Sequence, residues 1–203
     1  MFEDLQAKAV SEFHDLCHRH PDWPGQPPRP LEDNSLWFWV AANHRHNCLL
    51  WAEEDQARRR DVPDADIVKN KRLIDANNQA RNDAIERMDE HILTRLAGVT
   101  LRPDAWLNSE TAGSIIDRLS IISLKILHMQ KHTENPANTE ALREETRQKL
   151  SRLHEQRGDL QFCLDQLLNG YAEGRCYYRI YRQFKMYNDP RLNPYLAANA
   201  RRG

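Results

Sequence analysis

The sequence predicts an all-α protein, an elongated bundle of about five to six helices with one buried central helix. Apolar residues recur at helical spacing along most of the chain. The 203 residues include only 7 Gly, 5 Val and 6 Thr, whereas all-β folds need many turns and β-branched strands. Hydrophobic residues make up 40% of the chain, which is enough apolar material to form a core.

The first two helices flank a proline-rich connector. Helical spacing of apolar residues predicts a first helix over residues 2–20, which Pro21 ends. Five of the ten prolines lie within residues 21–33, which predicts an extended connector with the stiffness of polyproline II. Asn34 or Ser35 can then cap a second helix that runs to about residue 60.

The third helix is predicted to be long. Asp64 is a good N-cap, Gly98 is the expected residue just beyond the carboxyl end, and about 33 residues lie between them. The apolar positions are spaced by alternating steps of three and four residues, as in a coiled-coil seam. Three polar residues interrupt this seam, namely Lys71, Asn78 and Arg81.

The fourth helix, at about residues 109–133, is predicted to be the buried centre. Nine of the fifteen residues 115–129 are aliphatic or Met and lie on all sides of the helix, which is typical of a buried helix. We therefore expect the charged residues Asp117, Arg118 and Lys125 to be mostly buried, each with a partner from another helix.

The fifth helix is predicted to begin after Asn138 or Thr139 and to end near Asn169, closed by Gly170. A shorter sixth helix, Tyr171 to Tyr187, is expected to follow. No internal repeat or linker divides the chain, so residues 1–203 are predicted to form one domain. None of the apolar runs is long enough for a membrane span.

The basic segment at residues 175–203 carries seven Lys or Arg side chains against one Asp, with interleaved aromatic residues. Such a stripe can bind nucleic acid. The formal net charge of −1 favours the other interpretation, in which the segment docks on the acidic remainder of the chain. Tyr177, Tyr181 and Phe184 would then line the docking face of a helix.

Metal and cofactor chemistry is not indicated by local motifs. The four cysteines form no Cys-x-x-Cys pair, and Cys48 and Cys163 fall in helical patterns typical of buried thiols. His44 and His46 point to different sides of their helix, as one core and one solvated histidine, and no Glu is followed by His three residues later. Seven glycines exclude a phosphate-binding loop or dinucleotide fold, so we predict neither metal nor cofactor.

Charged residues on otherwise apolar faces are the most informative feature. The cations outnumber the carboxylates: Arg58, Lys71, Arg81, Arg118 and Lys125 against Glu54, Asp75 and Asp117. Glu54–Arg58 and Lys71–Asp75 are spaced to pair within a helix. Two interpretations remain open: a buried network that fixes helix register, or a polar pocket with surplus cations for an anionic ligand.

The chain resembles a bacterial domain-of-unknown-function family, number 4254, over about residues 35–195. The resemblance rests on these motifs: Asn47-x-x-Leu50-Trp51-x-x-Glu54-Asp55-x-x-Arg58, Lys71-Arg72-x-Ile74-Asp75-x-x-Asn78-Gln79-x-Arg81-Asn82-Asp83, Glu110-Thr111, Asp117-Arg118-Leu119-Ser120-Ile121 with Leu124-Lys125, and Gln183-Phe184-Lys185-Met186-Tyr187-Asn188-Asp189-Pro190. The family implies no established activity. Its members look like companions of envelope glycosyltransferase genes, which hints at a pathway.

These observations lead to two functional hypotheses. The first is a cytoplasmic protein whose interhelical pocket binds a nucleotide sugar or sugar phosphate, with these ligand-binding candidates: Asn47, Arg58, Lys71, Asn78, Arg81, Arg118, Lys125 and Lys185. Glu54, Asp75 and Asp117 are the candidates for proton transfer, although no reaction is indicated. The second is a non-enzymatic homo-oligomer, or a partner of a glycosyltransferase, whose buried charges serve structure.

Overall fold

Five α-helices dominate the fold, and the prediction of an all-α bundle is confirmed. The computed structural model describes residues 1–182 and 186–196. The helices are α1 (Ala7–Arg19), α2 (Leu36–Gln56), α3 (Asp64–Arg95), α4 (Ala112–Glu134) and α5 (Glu140–Ala172). The remaining elements are β1 (Trp106–Leu107), β2 (Cys176–Tyr177) and a 3-10 helix (Met186–Asn188). Within the described part of the chain, no helix combines the length and apolarity needed to cross a membrane.

Helix α4 is the central element, as predicted. It contacts α1, α2, α3 and α5, whereas α2 packs mainly on α3. Ile116 and Leu119 of α4 are fully buried and belong to the same core as Met88 of α3 and Leu164 of α5. Most of α4 is therefore covered by its neighbours, and its buried polar residues Asp117 and Ser120 form hydrogen bonds to α2.

Hydroxyl side chains cap three of the helices. Ser35, Thr111 and Thr139 each accept a hydrogen bond from the backbone N–H three residues later, at 3.2, 3.2 and 3.3 Å. Ser35 and Thr139 are among the predicted caps. Helix α4 begins at Ala112, later than the predicted start near residue 109, because Thr111 occupies the capping position.

The carboxyl ends of α3 and α5 differ from the prediction. Helix α5 continues through Gly170 to Ala172 because Gly174, at φ +66°, adopts the left-handed conformation that closes the helix. The N–H of Arg175 donates to the Gly170 carbonyl at 2.9 Å, which completes a Schellman motif. Helix α3 ends at Arg95, so Gly98 lies beyond the position predicted for it.

Gly113 sets the close approach of α3 and α4. Its N–H donates to Asp89 Oδ1 at 2.8 Å. A Cβ atom at this position would lie 2.8 Å from both that oxygen and the Ile85 carbonyl oxygen. The absence of a side chain at Gly113 therefore lets Asp89 of α3 hold the amino end of α4.

The segment after α5 does not form the predicted sixth helix. Strand β2 pairs in parallel with β1, and Tyr178 is buried, donating its hydroxyl to the Asp89 carbonyl at 2.5 Å. Arg182 pairs with Glu90 at 3.0 Å. Thus residues 175–182 dock on the bundle through Tyr178. Of the predicted docking residues, Tyr177 is half-buried, Tyr181 is exposed, and Phe184 lies outside the described residues.

The proline-rich connector is not uniformly extended as predicted. It begins with hydrogen-bonded turns, in which Gly25 N–H donates to the Asp22 carbonyl at 2.7 Å. Its side chains pack on the bundle: Trp23 stacks on His44, and the Arg29 guanidinium lies 5.3 Å from the Trp37 ring centre. The connector therefore covers the side of α2 that carries His44.

Candidate functional site

A hydrogen-bonded cluster of polar side chains joins α2 to α4. Asp117 Oδ1 accepts from Asn43 Nδ2 at 2.8 Å and from Asn47 Nδ2 at 2.9 Å. Asn47 Nδ2 is also 2.9 Å from Ser120 Oγ. Asn43 and Asn47 are four residues apart, and Asp117 and Ser120 are three apart, so each pair lies on one helix face. We call Asn43, Asn47, Asp117 and Ser120 the amide network.

Arg81 of α3 borders this network without forming a hydrogen bond to it. Its Nε lies 3.9 Å from Asp117 Oδ1, and the Arg81 side chain is 26% exposed. That Nε is buried and has no hydrogen-bond partner within the described part of the chain. A guanidinium placed in this way is available to a ligand as a donor.

A cleft of about 290 Å³ opens beside Arg81, between α2, α3 and α4. We call it the network cleft, and its lining contains four predicted site residues: Asn47, Glu54, Arg58 and Arg81. Glu54 and Arg58 form the predicted ion pair at 2.9 Å. The lining also includes Asp55, so two cations face two carboxylates. The predicted surplus of cations is therefore absent from this cleft.

A second cleft, of about 460 Å³, adjoins the network cleft at Trp51. We call it the basic cleft, lined by Trp51, Lys125, His128, Met129, His132, Lys149, Arg152, Leu153 and Gln156. Trp51 stacks on His128 with ring centres 4.4 Å apart and an angle of 15° between the planes. Among the described residues, no carboxylate lines this cleft, whereas Lys125, Lys149 and Arg152 do. The surplus of cations thus lies between α2, α4 and α5.

The expectation that all three central-helix charges are buried is wrong for two of them. Asp117 is buried, but Arg118 and Lys125 are exposed. Arg118 pairs with Glu110 at 2.6 Å, at the edge of a third cleft of about 550 Å³ that also includes Lys125. Helix α4 is covered by apolar contacts, yet these long side chains extend from it into water.

Three other predicted site residues lie away from these clefts. Lys71 and Asp75 are exposed and form the predicted ion pair with each other. Asn78 is half-buried and is not part of the lining of the network cleft or the basic cleft. Lys185 lies outside the described residues.

Histidines from two helices form a group that local motifs did not reveal. His14 and His18 of α1 meet His44 and Cys48 of α2, and we call these four residues the histidine cluster. Burial lowers the pKa of His14 to about 3 and that of His18 to about 4. Burial also lowers the pKa of His44 well below its usual range, so all three imidazoles are neutral at pH 7.

The helical spacing of these residues is the signal that could have indicated the cluster. His14 and His18 are four residues apart, as are His44 and Cys48, so each pair lies on one face of its helix. His46 differs from the prediction of a solvated side chain, since it is half-buried with Nδ1 2.9 Å from Asn77 Oδ1. Cys163, predicted to be buried, is exposed.

A family model described as "Protein of unknown function (DUF4254)" matches residues 37–180. The chain belongs to this family. The DUF4254 match includes the amide network and the residues of both clefts, and it excludes α1, which supplies His14 and His18. No curated protein and no solved structure matches the chain.

Proposed function

We propose that the protein binds an anionic small molecule of the nucleotide-sugar or sugar-phosphate type in the basic cleft. The observation that carries this proposal is the lining of that cleft, where Lys125, Lys149 and Arg152 are present without a carboxylate among the described residues. Phosphate oxygens are well matched to such cations, and Arg can bind them through two parallel hydrogen bonds.

Two of the three cations are free to bind a ligand. Lys149 is paired with Glu145 at 2.5 Å. Lys125 and Arg152 have no ion pair within the described part of the chain. Because Lys125 belongs to α4 and Arg152 to α5, an anion held between them would bridge the two helices. This placement supports Lys125 as the main phosphate-binding candidate among the residues predicted from sequence.

The stacked rings of Trp51 and His128 give the cleft an apolar wall beside its cations. A base or a sugar ring can pack on such a surface while its phosphates contact lysine and arginine. Trp51 also lines the network cleft, so a larger ligand bound in the basic cleft would extend toward Arg58 and Arg81. The proposed ligand therefore combines a ring system with one or more phosphates.

No reaction is part of this proposal. Asp117 is engaged by two amides, Glu54 is paired with Arg58, and Asp75 is exposed away from the clefts. We place the protein in the cytoplasm, since its four cysteines are free thiols, as is usual in a reducing compartment. A role beside glycosyltransferases in envelope glycan assembly rests on the family resemblance.

The proposal is tested by calorimetric titration with uridine and guanosine diphosphate sugars and with sugar 1-phosphates. We expect the double variant Lys125→Ala/Arg152→Ala to lose binding by at least about tenfold, since each lost charge-assisted contact contributes roughly 1.5–3 kcal/mol. The matched control Lys69→Ala/Arg72→Ala removes the same charge from exposed positions on α3 and should keep binding. Equal loss in both variants, or equal binding of the uncharged nucleoside, would contradict the proposal.

A second candidate function is assembly into homo-oligomers or with a protein partner. Exposed aromatic side chains favour it, because Phe162 on α5 is 65% exposed and Trp106 on β1 is 51% exposed. Light scattering over a range of protein concentrations separates the two functions. An oligomer that Phe162→Ser dissociates would support assembly, whereas a monomer at all concentrations would leave only ligand binding.

A further inference from the structure

The histidine cluster brings three metal-binding atoms together where α1 meets α2. One ligand atom each from His18, His44 and Cys48 lie within 4.8 Å of one another. His44 Nε2 and Cys48 Sγ are 4.0 Å apart. None of these residues lines the network cleft or the basic cleft, so this group is separate from the proposed ligand-binding site.

The nitrogens of this cluster have few protein partners. His14 is fully buried, yet neither Nδ1 nor Nε2 has a hydrogen-bond partner within the described part of the chain. The same is true of Nε2 of His18. Buried polar atoms are normally hydrogen-bonded, because an unpaired group costs roughly 1–3 kcal/mol. The unpaired Nε2 of His18, in a cluster whose buried nitrogens are poorly satisfied, points to a ligand bound at this place.

We propose that His18, His44 and Cys48 bind one zinc ion, with a fourth coordination position open to water or another small ligand. Two imidazoles and one thiolate are a donor set that zinc prefers, and three protein ligands with one open position are typical of reactive zinc sites. The thiol proton of Cys48 passes to solvent as the zinc–sulfur bond forms.

The spacing of the three ligands fits this ion after small side-chain rotations. Zinc lies about 2.0–2.1 Å from histidine nitrogens and about 2.3 Å from cysteine sulfur in a tetrahedral arrangement. Such an arrangement places ligand atoms about 3.3–3.8 Å apart, close to the 4.0 Å between His44 Nε2 and Cys48 Sγ. His14 stacks on His44 with ring centres 4.4 Å apart and so covers one side of the site.

Neighbouring groups orient two of the ligands. His44 Nδ1 is 2.8 Å from Ser120 Oγ. When Nδ1–H donates to this oxygen, the lone pair on Nε2 is directed to the metal position. Trp23 Nε1–H donates to Cys48 Sγ at 3.2 Å, and such a bond stabilises negative charge on a thiolate. The amide network and the connector therefore both support the proposed site.

An ion can reach the site from the surface. His18 and Cys48 are half-buried, and His18 also lines a cleft of about 430 Å³ between α1, α4 and α5. Arg157 and Asp15 in the same lining form an ion pair at 2.9 Å. His18 therefore lies between the proposed site and this cleft, which is the route by which an ion would enter.

Cobalt(II) titration of the metal-stripped full chain is the test. Cobalt replaces zinc and reports a thiolate ligand through a near-ultraviolet charge-transfer band, with visible bands for tetrahedral geometry. We expect saturation at one equivalent and competition by zinc. Cys48→Ser should abolish the charge-transfer band, and His18→Ala should weaken affinity by more than about 100-fold, since changes outside the ligand set alone cost about 10–100-fold.

Matched variants separate this site from adventitious binding. Cys163→Ser changes an exposed thiol on α5, and His91→Ala changes a half-buried histidine on α3; both should keep the band and the affinity. Ser120→Ala should keep the band but weaken binding by about 10–100-fold. If Cys48→Ser does not fold, as shown by circular dichroism, His18→Ala decides the question.

Two results would overturn the proposal. The first is the absence of a charge-transfer band at one equivalent of cobalt in the wild-type chain. The second is a band that Cys163→Ser removes while Cys48→Ser retains it. Binding of diphosphate sugars in the basic cleft is measured independently, so failure of the metal site leaves that result unchanged.

Discussion

The amide network is as buried as His14 and His44 of the histidine cluster, but the two clusters differ in how their polar atoms are satisfied. Asp117 accepts two amide hydrogen bonds, and Asn47 bonds both Asp117 and Ser120. His14, by contrast, has two buried nitrogens without a partner in the described part of the chain. Burial alone therefore does not indicate a binding site. A saturated cluster supports the fold, whereas an unsaturated one is available to a ligand.

Helix α2 supplies two residues to each cluster. Asn43 and Asn47 lie on the face of α2 toward α4, and His44 and Cys48 follow them by one residue. One residue corresponds to a rotation of about 100° on an α-helix, so the two pairs face different neighbours. The hydrogen bond between His44 and Ser120 joins the clusters. We nevertheless expect substitutions in the two clusters to change stability in opposite directions.

The largest effect is expected from Asp117→Ala in the amide network. The substitution leaves the amides of Asn43 and Asn47 without their shared acceptor, and each buried unpaired donor costs roughly 1–3 kcal/mol. Adding the lost packing, we expect the free energy of unfolding to fall by about 3–5 kcal/mol. Urea denaturation measures this change, provided that the dependence of the free energy on urea concentration is the same in both proteins.

Asp117→Asn is the matched control for that prediction. It keeps an acceptor oxygen of the same shape and removes only the charge, so the loss should be at most about half of that for Asp117→Ala. An equal loss in both variants would show that the charge near Arg81, and not the hydrogen bonding of the amides, determines stability here.

Asp89 is buried and accepts a hydrogen bond from the Gly113 N–H, and its contribution to stability should depend on pH. Burial raises the pKa of the Asp89 carboxyl to about 6. Because the folded chain binds this proton more tightly than the unfolded chain, its contribution is full below about pH 4 and is lost as pH rises through 6. The loss amounts to at most roughly 3 kcal/mol.

The test compares wild type with Asp89→Asn across pH 4–7. Surface ion pairs make both proteins more stable as the pH rises, and to the same extent. The difference between the free energies of unfolding of the two proteins therefore isolates the effect of Asp89. We expect the stability of wild type relative to the variant to fall over this range. A difference that stays constant with pH would show that the carboxyl has the same pKa in both states.

The helices were predictable from sequence because their signals are local. Caps such as Ser35 and Thr139, and the apolar pattern of α4, depend on residues within a few positions of one another. The end of α5 was missed because both Gly170 and Gly174 are suitable closing residues. Gly174 has the positive φ angle, and a Cβ atom there would clash with the carbonyl of Thr100, which is distant in sequence. The predicted sixth helix does not form because β2 pairs with β1 and Tyr178 packs on α3, contacts between distant parts of the chain that helical periodicity does not indicate.

The candidate site was only partly predictable. Helical spacing joined Glu54 to Arg58 and placed Asp117 on a buried face, because both relations act within one helix. The basic cleft could not be predicted, since Trp51, Lys125 and Arg152 come from three helices whose relative rotation depends on the packed core. For the same reason, an even distribution of apolar residues around α4 did not reveal that Arg118 and Lys125 reach water.

His14→Leu should have the opposite sign to Asp117→Ala. Leu fills a similar volume, and the substitution removes two buried nitrogens that lack partners. In buffer containing a metal chelator, we expect the variant to be about 1–2 kcal/mol more stable than wild type. Thermal and urea denaturation check this; a loss above about 2 kcal/mol would show that His14 has a structural partner that matters, such as its stacking on His44.

The smallest effect on stability is expected from Arg81→Ala, which lies between the amide network and the network cleft. A guanidinium that completed a buried ion pair would cost about 3–5 kcal/mol on removal. Arg81, however, is 3.9 Å from Asp117 and 26% exposed, and Asp117 keeps both amide donors in the variant. We therefore expect a loss of no more than about 1 kcal/mol. Urea denaturation of this variant, beside Lys69→Ala at an exposed cation on the same helix, measures the loss.

If the proposed ligand extends into the network cleft, Arg81→Ala should also weaken its binding while Lys69→Ala does not. A loss of 3 kcal/mol or more with unchanged ligand affinity would instead assign Arg81 to the structural network.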